Sequence, residues 1–136
     1  MTRLLFVLFA FVLTSGAQTK TVLVLNRSAE DVAAWQSASS KVKLVRVTNN
    51  DVMDHIADAD AFIGSIKPEQ VRAGRKLKWV QSMSAGVERV LHLSGGDDLR
   101  NSDIILTNNQ IVQGPEIADH AMAMLLTLTR RIPKFI

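Results

Sequence analysis

Ser82-Met83-Ser84-Ala85-Gly86-Val87 sets small side chains and a glycine between an extended segment and a helical one, Val87-Glu88-Arg89-Val90-Leu91. The first N–H groups of a helix have no partner within it, and a glycine beside them lets an anion come close, so such a turn can receive a carboxylate or a phosphate. Charge-assisted bonds of that kind contribute about 1.5–3 kcal/mol each. Small residues at a strand-to-helix turn also serve packing alone, and the pattern by itself does not choose. Other chemistries fail on spacing. Ser84 lacks the first glycine of a G-x-S-x-G elbow, and no Asp and His follow in hydrolase order. Ser94-Gly95-Gly96-Asp97-Asp98 is glycine-rich but has no Lys-Ser/Thr after it, which makes it a turn and not a phosphate loop. A phospho-receiver would need acids after its first strand and an Asp after its third, where Asn26-Arg27 and Gly64-Ser65 stand. His55, His92 and His120 are far apart without metal-ligand spacing, and the absence of Cys removes thiol catalysis, cysteine-bound zinc and iron–sulfur clusters. No metal site is expected.

The elements that must position this turn alternate in type. Strands are predicted at Thr21–Leu25, Val42–Val47, Ala61–Ile66, Lys78–Met83 and Asp103–Thr107 from their β-branched, apolar runs. Between them, Ser28 with Asp31 forms a variant capping box ahead of Val32, Ala33 and Trp35. Asn49 or Asn50 can cap a turn that places Val52 and Ile56 on one face, and Pro68 suits the first position of a helix that turns Val71 and Leu77 inward. Asp54, Asp58 and Asp60 read as a solvated helix face, and Trp35 and Trp79 as core or rim aromatics. Strands alternating with helices imply right-handed crossovers and a parallel sheet, hence an α/β, flavodoxin-like fold of about five strands with helices on both faces. In such a sheet ligands bind beyond the carboxyl ends of the strands. The last helix differs, because from Gly114-Pro115-Glu116 to Arg130-Arg131 its Ile117, Ala121, Met122, Met124, Leu125, Leu126 and Leu128 cover nearly its whole circumference. A helix apolar all round calls for cover on all sides, from a second domain or a partner subunit; packing on the sheet with its outer side chains exposed is the alternative.

The sequence has 136 residues, 47% apolar and 21% charged, with 16 Lys and Arg against 13 Asp and Glu. That is enough chain for one domain with an ordinary core, and it rules out disorder and a disulfide-stapled scaffold. Scattered basic residues and 5% aromatic content argue against a nucleic-acid surface. Met1-Thr2-Arg3, the apolar run Leu4 to Leu13 and the small residues Ser15 and Ala17 read as a cleavable secretory signal over 1–17, giving a secreted or periplasmic chain with no membrane attachment after cleavage. The run is shorter than the roughly 20 residues a bilayer span needs. A buried first element, a retained anchor, or a misassigned start with a cytoplasmic chain are the other readings.

Along Leu77 to Glu88, and again along Leu106-Thr107-Asn108 and Gly114 to Leu126, the chain resembles the D-isomer-specific 2-hydroxyacid dehydrogenases. The similarity covers most of Thr21 to Ile136 and implies that family's substrate domain (18–114), followed by the interdomain helix (115–136) that also helps form its dimer. In such enzymes the turn matching Ser84-Ala85-Gly86 offers main-chain N–H groups to the carboxylate of a small 2-hydroxy or 2-oxo acid. The family position matching Ala85 also lies near the bound nicotinamide in some members, and by analogy Ser65 rims the same cleft. The family's Gly-Val-Asp stands here as Gly86-Val87-Glu88, a change expected to alter local capping more than substrate chemistry. The family binds NAD or NADP on a domain carrying G-x-G-x-x-G, and its Arg, Glu and acid–base His come later in the chain. None of these occurs before Ile136, and His120 belongs to the helix motif. The resemblance therefore implies no catalytic residue in this fragment, which would be inactive alone and lead into a nucleotide-binding domain. A stand-alone secreted small-carboxylate-binding or protein-interaction domain is the alternative.

Overall fold

The alternating runs become five parallel strands in the computed structural model, which describes residues 19–134. They are β1 (Lys20–Leu25), β2 (Val42–Val47), β3 (Ala61–Ile63), β4 (Trp79–Gln81) and β5 (Ile105–Thr107), in the order β2-β1-β3-β4-β5. The helices are α1 (Ala29–Gln36), α2 (Val52–His55), α3 (Pro68–Ala73), α4 (Gly96–Arg100) and α5 (Gly114–Thr129). This is the α/β, flavodoxin-like arrangement expected from the sequence. The segment read as a signal lies outside the described residues.

The strand order fixes the layers. The step from β1 to β2 runs one way along the sheet and every later step runs the other way, so right-handed crossovers put α1 on one face and α2, α3 and α4 on the opposite one. Register then decides what each face buries. Val45, Leu23, Phe62, Val80 and Leu106 form one cross-strand row, and with Val52, Ile56, Val71, Val90 and Leu99 they make the core. The neighbouring row, Leu44, Val22, Ala61, Trp79 and Ile105, faces the other way. Over β1 and β2 it is covered by α1 through the buried Val32, but at β4 and β5 Trp79 and Ile105 remain exposed at 37% and 64%.

Local chemistry explains the boundaries. The Ser28 hydroxyl accepts the Asp31 N–H at 3.0 Å and caps α1. Pro68 opens α3, where the Lys67 N–H donates to Gln70 Oε1 at 2.9 Å while the Gln70 N–H donates to the Lys67 carbonyl at 3.0 Å. The turn before α2 belongs to Asp51 and not to Asn49 or Asn50, because its carboxylate accepts both the N–H and the hydroxyl of Thr48. β3 stops at Ile63, three residues before its expected end. Gly64 follows at φ +139°, and a side chain there would meet Leu25 Cβ at 2.8 Å. Asp60 is likewise not on a helix: it precedes β3, where its carboxylate accepts the Thr21 N–H at 2.9 Å and pairs with Lys20 at 3.0 Å. Helix α5 leaves the sheet altogether, and no residue in it is buried. The alternative of a last helix packed on the sheet is therefore not what forms.

Candidate functional site

Parallel strands deliver all their carboxyl ends to one edge, and the strand order reverses between β1 and β3, opening a crevice there. The crevice is a cleft of about 390 Å³. It is lined by Leu25, Asn26 and Arg27 after β1, Asn49 after β2, Ile63, Gly64, Ser65 and Lys67 after β3, Met83 after β4, and Ser94. Asn26 holds a left-handed φ of 52°, which Asn tolerates better than most residues, and donates its N–H to the Val47 carbonyl at 2.8 Å. That reversal sends Arg27 back toward the edge, where its guanidinium carbon lies 5.9 Å from the centre of the Trp35 ring. A larger concavity of about 560 Å³ is an apolar groove along α5, lined by Val112, Ile117, Ala121 and Met124 among others.

Ser65 is exposed and lines the cleft. Ser84, Ala85 and Gly86 are exposed on the turn after β4, which continues from the cleft-lining Met83. The two sets thus follow adjacent strands, Ser65 after β3 and the turn after β4. The turn is held from one side. The Met83 carbonyl accepts from Asn109 Nδ2 at 3.2 Å, the Ser84 carbonyl from the Asn109 N–H at 3.0 Å, and the Ala85 carbonyl from Asn108 Nδ2 at 2.5 Å. In a trans peptide the C=O and the following N–H point in opposite directions. Three carbonyls drawn toward the segment after β5 therefore aim the N–H groups of Ser84, Ala85 and Gly86 away from it. The first is taken by the buried Ser82 through its Oγ at 3.2 Å, while those of Ala85 and Gly86 meet no acceptor among the described residues.

A relay behind the turn fixes Asn109. Trp79 Nε1 donates to Thr107 Oγ1 at 2.7 Å, Thr107 donates to Gln81 Oε1 at 2.5 Å, and Gln81 Nε2 donates to Asn109 Oδ1 at 2.9 Å. The helical segment that follows is short. The Leu91 N–H closes on the Val87 carbonyl at 2.9 Å, and the coil then widens into a π-helical stretch, Val90–Ser94, closed by the Gly95 N–H on the Val90 carbonyl at 2.7 Å. The outward N–H groups thus owe their direction to Asn108 and Asn109 more than to a helix dipole. Gly86 has no left-handed φ, and the space its side chain would take is occupied by the Glu88 carboxylate. Glu88 is therefore not simply a capping acid; its charge stands beside the free N–H groups.

The residues sequence reading passed over are Arg27, Lys67, Asn108 and Asn109. Arg27 follows β1 and Lys67 follows β3, so their charge was legible as strand-end charge, but only the reversal between β1 and β3 sets them on one cleft. Among the described residues no cluster of His, Asp or Glu could hold a metal ion. A dinucleotide finds no cradle at the first strand-to-helix turn, where Asn26-Arg27-Ser28 carry side chains in place of glycines and the Ser28 hydroxyl already accepts the Asp31 N–H. No helix among the described residues is long and apolar enough to cross a membrane.

No protein-family model and no curated protein matches the chain. Solved structures do. A D-isomer specific 2-hydroxyacid dehydrogenase family protein from Aeromonas salmonicida subsp. salmonicida superposes with a TM-score of 0.65 at 23% identity, over 86% of this chain and 38% of that one. D-lactate dehydrogenase from Aquifex aeolicus, in complex with NAD and lactic acid, gives 0.63 at 22% identity over 84% of this chain and 35% of that one. The NAD+-bound 3-phosphoglycerate dehydrogenase of Entamoeba histolytica gives 0.57 at 20% identity over 79% and 39%. The chain thus spans from 35% to 39% of the length of these structures. What it shares with them is the fold of that part.

Proposed function

We propose that this chain is the carboxylate-binding portion of an NAD(P)-dependent oxidoreductase of the D-2-hydroxyacid dehydrogenase family, acting on a small 2-hydroxy or 2-oxo acid. The observation that carries the reading is the turn after β4, with the Met83, Ser84 and Ala85 carbonyls tied back and the Ala85 and Gly86 N–H groups free. Two N–H groups on successive residues suit the two oxygens of a carboxylate. Ser65, at the end of the neighbouring strand, rims the site, and Ala85 is where the nicotinamide of a bound cofactor would approach. The cofactor's chemistry is hydride transfer. The present residues offer no cradle for its dinucleotide, so its binding and the proton-transferring groups are assigned to protein outside residues 19–134. In this reading 18–114 is the substrate domain, and α5 begins an interdomain helix that also forms a homodimer interface. Its bare apolar circumference and the uncovered Trp79 and Ile105 favour such cover. The basic start and apolar run of residues 1–17 support export.

The test is calorimetric titration of the chain with pyruvate and with glyoxylate, against the Gly86→Leu variant. A leucine would crowd the two N–H groups, and both chains carry Glu88→Gln so that the carboxylate it would displace does not enter the comparison. A tenfold or greater loss of affinity with unchanged circular dichroism is expected, and equal affinity would remove the Ala85–Gly86 site.

A further inference from the structure

We propose that Trp79, Thr107 and Gln81 are positioning residues for the carboxylate turn: together they set the donor–acceptor sense of a hydrogen-bonded path that holds Asn109, and through Asn109 they aim the Ala85 N–H. The inference rests on the Ala85–Gly86 site just described and divides its two N–H groups between different supports.

The sense of the path is fixed at one end. An indole N–H only donates, so Thr107 Oγ1 accepts from Trp79 at 2.7 Å, and the single hydroxyl hydrogen goes to Gln81 Oε1 at 2.5 Å. Gln81 must then turn its amide nitrogen the other way, where the two hydrogens meet the Ser82 carbonyl at 2.7 Å and Asn109 Oδ1 at 2.9 Å. With its oxygen taken, Asn109 has its side-chain nitrogen for the Met83 carbonyl, at 3.2 Å. Both amides use oxygen and nitrogen alike, and reversing either would set oxygen against oxygen at the next link. Apolar side chains would cover this part of the sheet with no polar groups to satisfy; what the polar ones add is direction.

That direction reaches one N–H of the pair. Asn109, pinned by its side chain, gives its main-chain N–H to the Ser84 carbonyl at 3.0 Å, and the opposite pole of that peptide is the free Ala85 N–H. The Gly86 N–H stands opposite the Ala85 carbonyl, which Asn108 holds without help from the path. The far end of the path is open. Alternation along β4 and β5 puts Trp79, Gln81, Ile105 and Thr107 on the face turned away from the Val80 and Leu106 core, where Trp79 remains exposed. A change of hydrogen bonding at the turn is therefore felt at an accessible indole.

The experiment titrates the full 136-residue chain with pyruvate, by calorimetry and by proton–nitrogen correlation spectra, in the parent, Thr107→Val, Thr107→Ser and Asn108→Ala. Valine keeps the shape of threonine without its hydroxyl, and serine keeps the hydroxyl. Thr107→Val is expected to bind pyruvate about fivefold or more weakly, and to lose the pyruvate-induced shift of the Ala85 amide while keeping that of Gly86. Asn108→Ala should reverse that pattern, and Thr107→Ser should match the parent. The Trp79 indole resonance should move with pyruvate in the parent and in Thr107→Ser, and stay still in Thr107→Val. Equal affinity of the parent and Thr107→Val, or loss of both amide responses together in either weakened variant, overturns the positioning role and leaves the Ala85–Gly86 site standing. Failure of the parent itself to bind pyruvate refutes that site, and the role of the path with it, before any variant is compared.

Discussion

Glu88 carries the sharpest consequence at the scale of single residues. Its carboxylate fills the space beside Gly86, next to the N–H groups assigned to an incoming carboxylate. Two like charges about 4 Å apart in water repel by about 1 kcal/mol. Glu88→Gln should therefore tighten pyruvate binding about fivefold, with a weaker effect as salt is raised; titrations at low and high ionic strength check both. Asp60 makes a prediction about pH. The Thr21 N–H and then Lys20 hold its carboxyl below the ordinary carboxylate range. A group whose pKa is depressed by folding contributes stability that is present above its unfolded value, about pH 4, and lost as pH falls through the folded value. Urea unfolding should show the native chain losing more stability than Asp60→Asn between pH 5 and pH 2, with the two curves converging at the acid end. Residue types alone suggested a solvated aspartate face. The tie to Thr21 escaped that reading because it joins positions far apart in sequence.

Among the elements, the sequence was most informative where local chemistry sets the boundary. Ser28 caps α1 and Pro68 opens α3 as their side chains require, and β2 runs from Val42 to Val47 as its β-branched residues suggest. It was least informative where a neighbour decides. β3 gives way at Gly64, whose φ of +139° leaves the strand conformation and whose bare Cα lets Leu25 of the adjacent strand pack close, and the turn before α2 goes to Asp51 because the Thr48 N–H and hydroxyl both reach its carboxylate. Helix α5 is the element with an unanswered surface: Leu125 and Leu128 are 52% and 73% exposed. Replacing both by Gln should leave the unfolding midpoint of the sheet domain within the effect of ordinary surface changes, about 0.5 kcal/mol. If α5 forms the proposed dimer interface, the same double variant sediments as a monomer at concentrations where the parent chain associates. Sedimentation velocity beside chemical denaturation reads both.

For the molecule as a whole, Arg27, Lys67 and Ser65 line the cleft at the strand ends, and among the described residues no histidine lines it with them. The 136-residue chain incubated with NADH and glyoxylate is expected to consume no cofactor, as followed by absorbance; measurable turnover would overturn the assignment of proton transfer to protein outside these residues. The intact mass of the native protein tests the same division, because a mass far above 15.0 kDa would reveal the further domain. Apolar periodicity, caps and the Ser82–Gly86 turn follow from near neighbours along the chain, and for that reason the sequence by itself determined the α/β class, the parallel sheet and the strand end on which to look for an anion. Which strands become neighbours is a long-range matter. Only the tertiary structure decided that β3 lies between β1 and β4, that Asn108 and Asn109 pull three carbonyls aside, and that Arg27 and Lys67 face one cleft, since each rests on residues that the chain brings together only on folding.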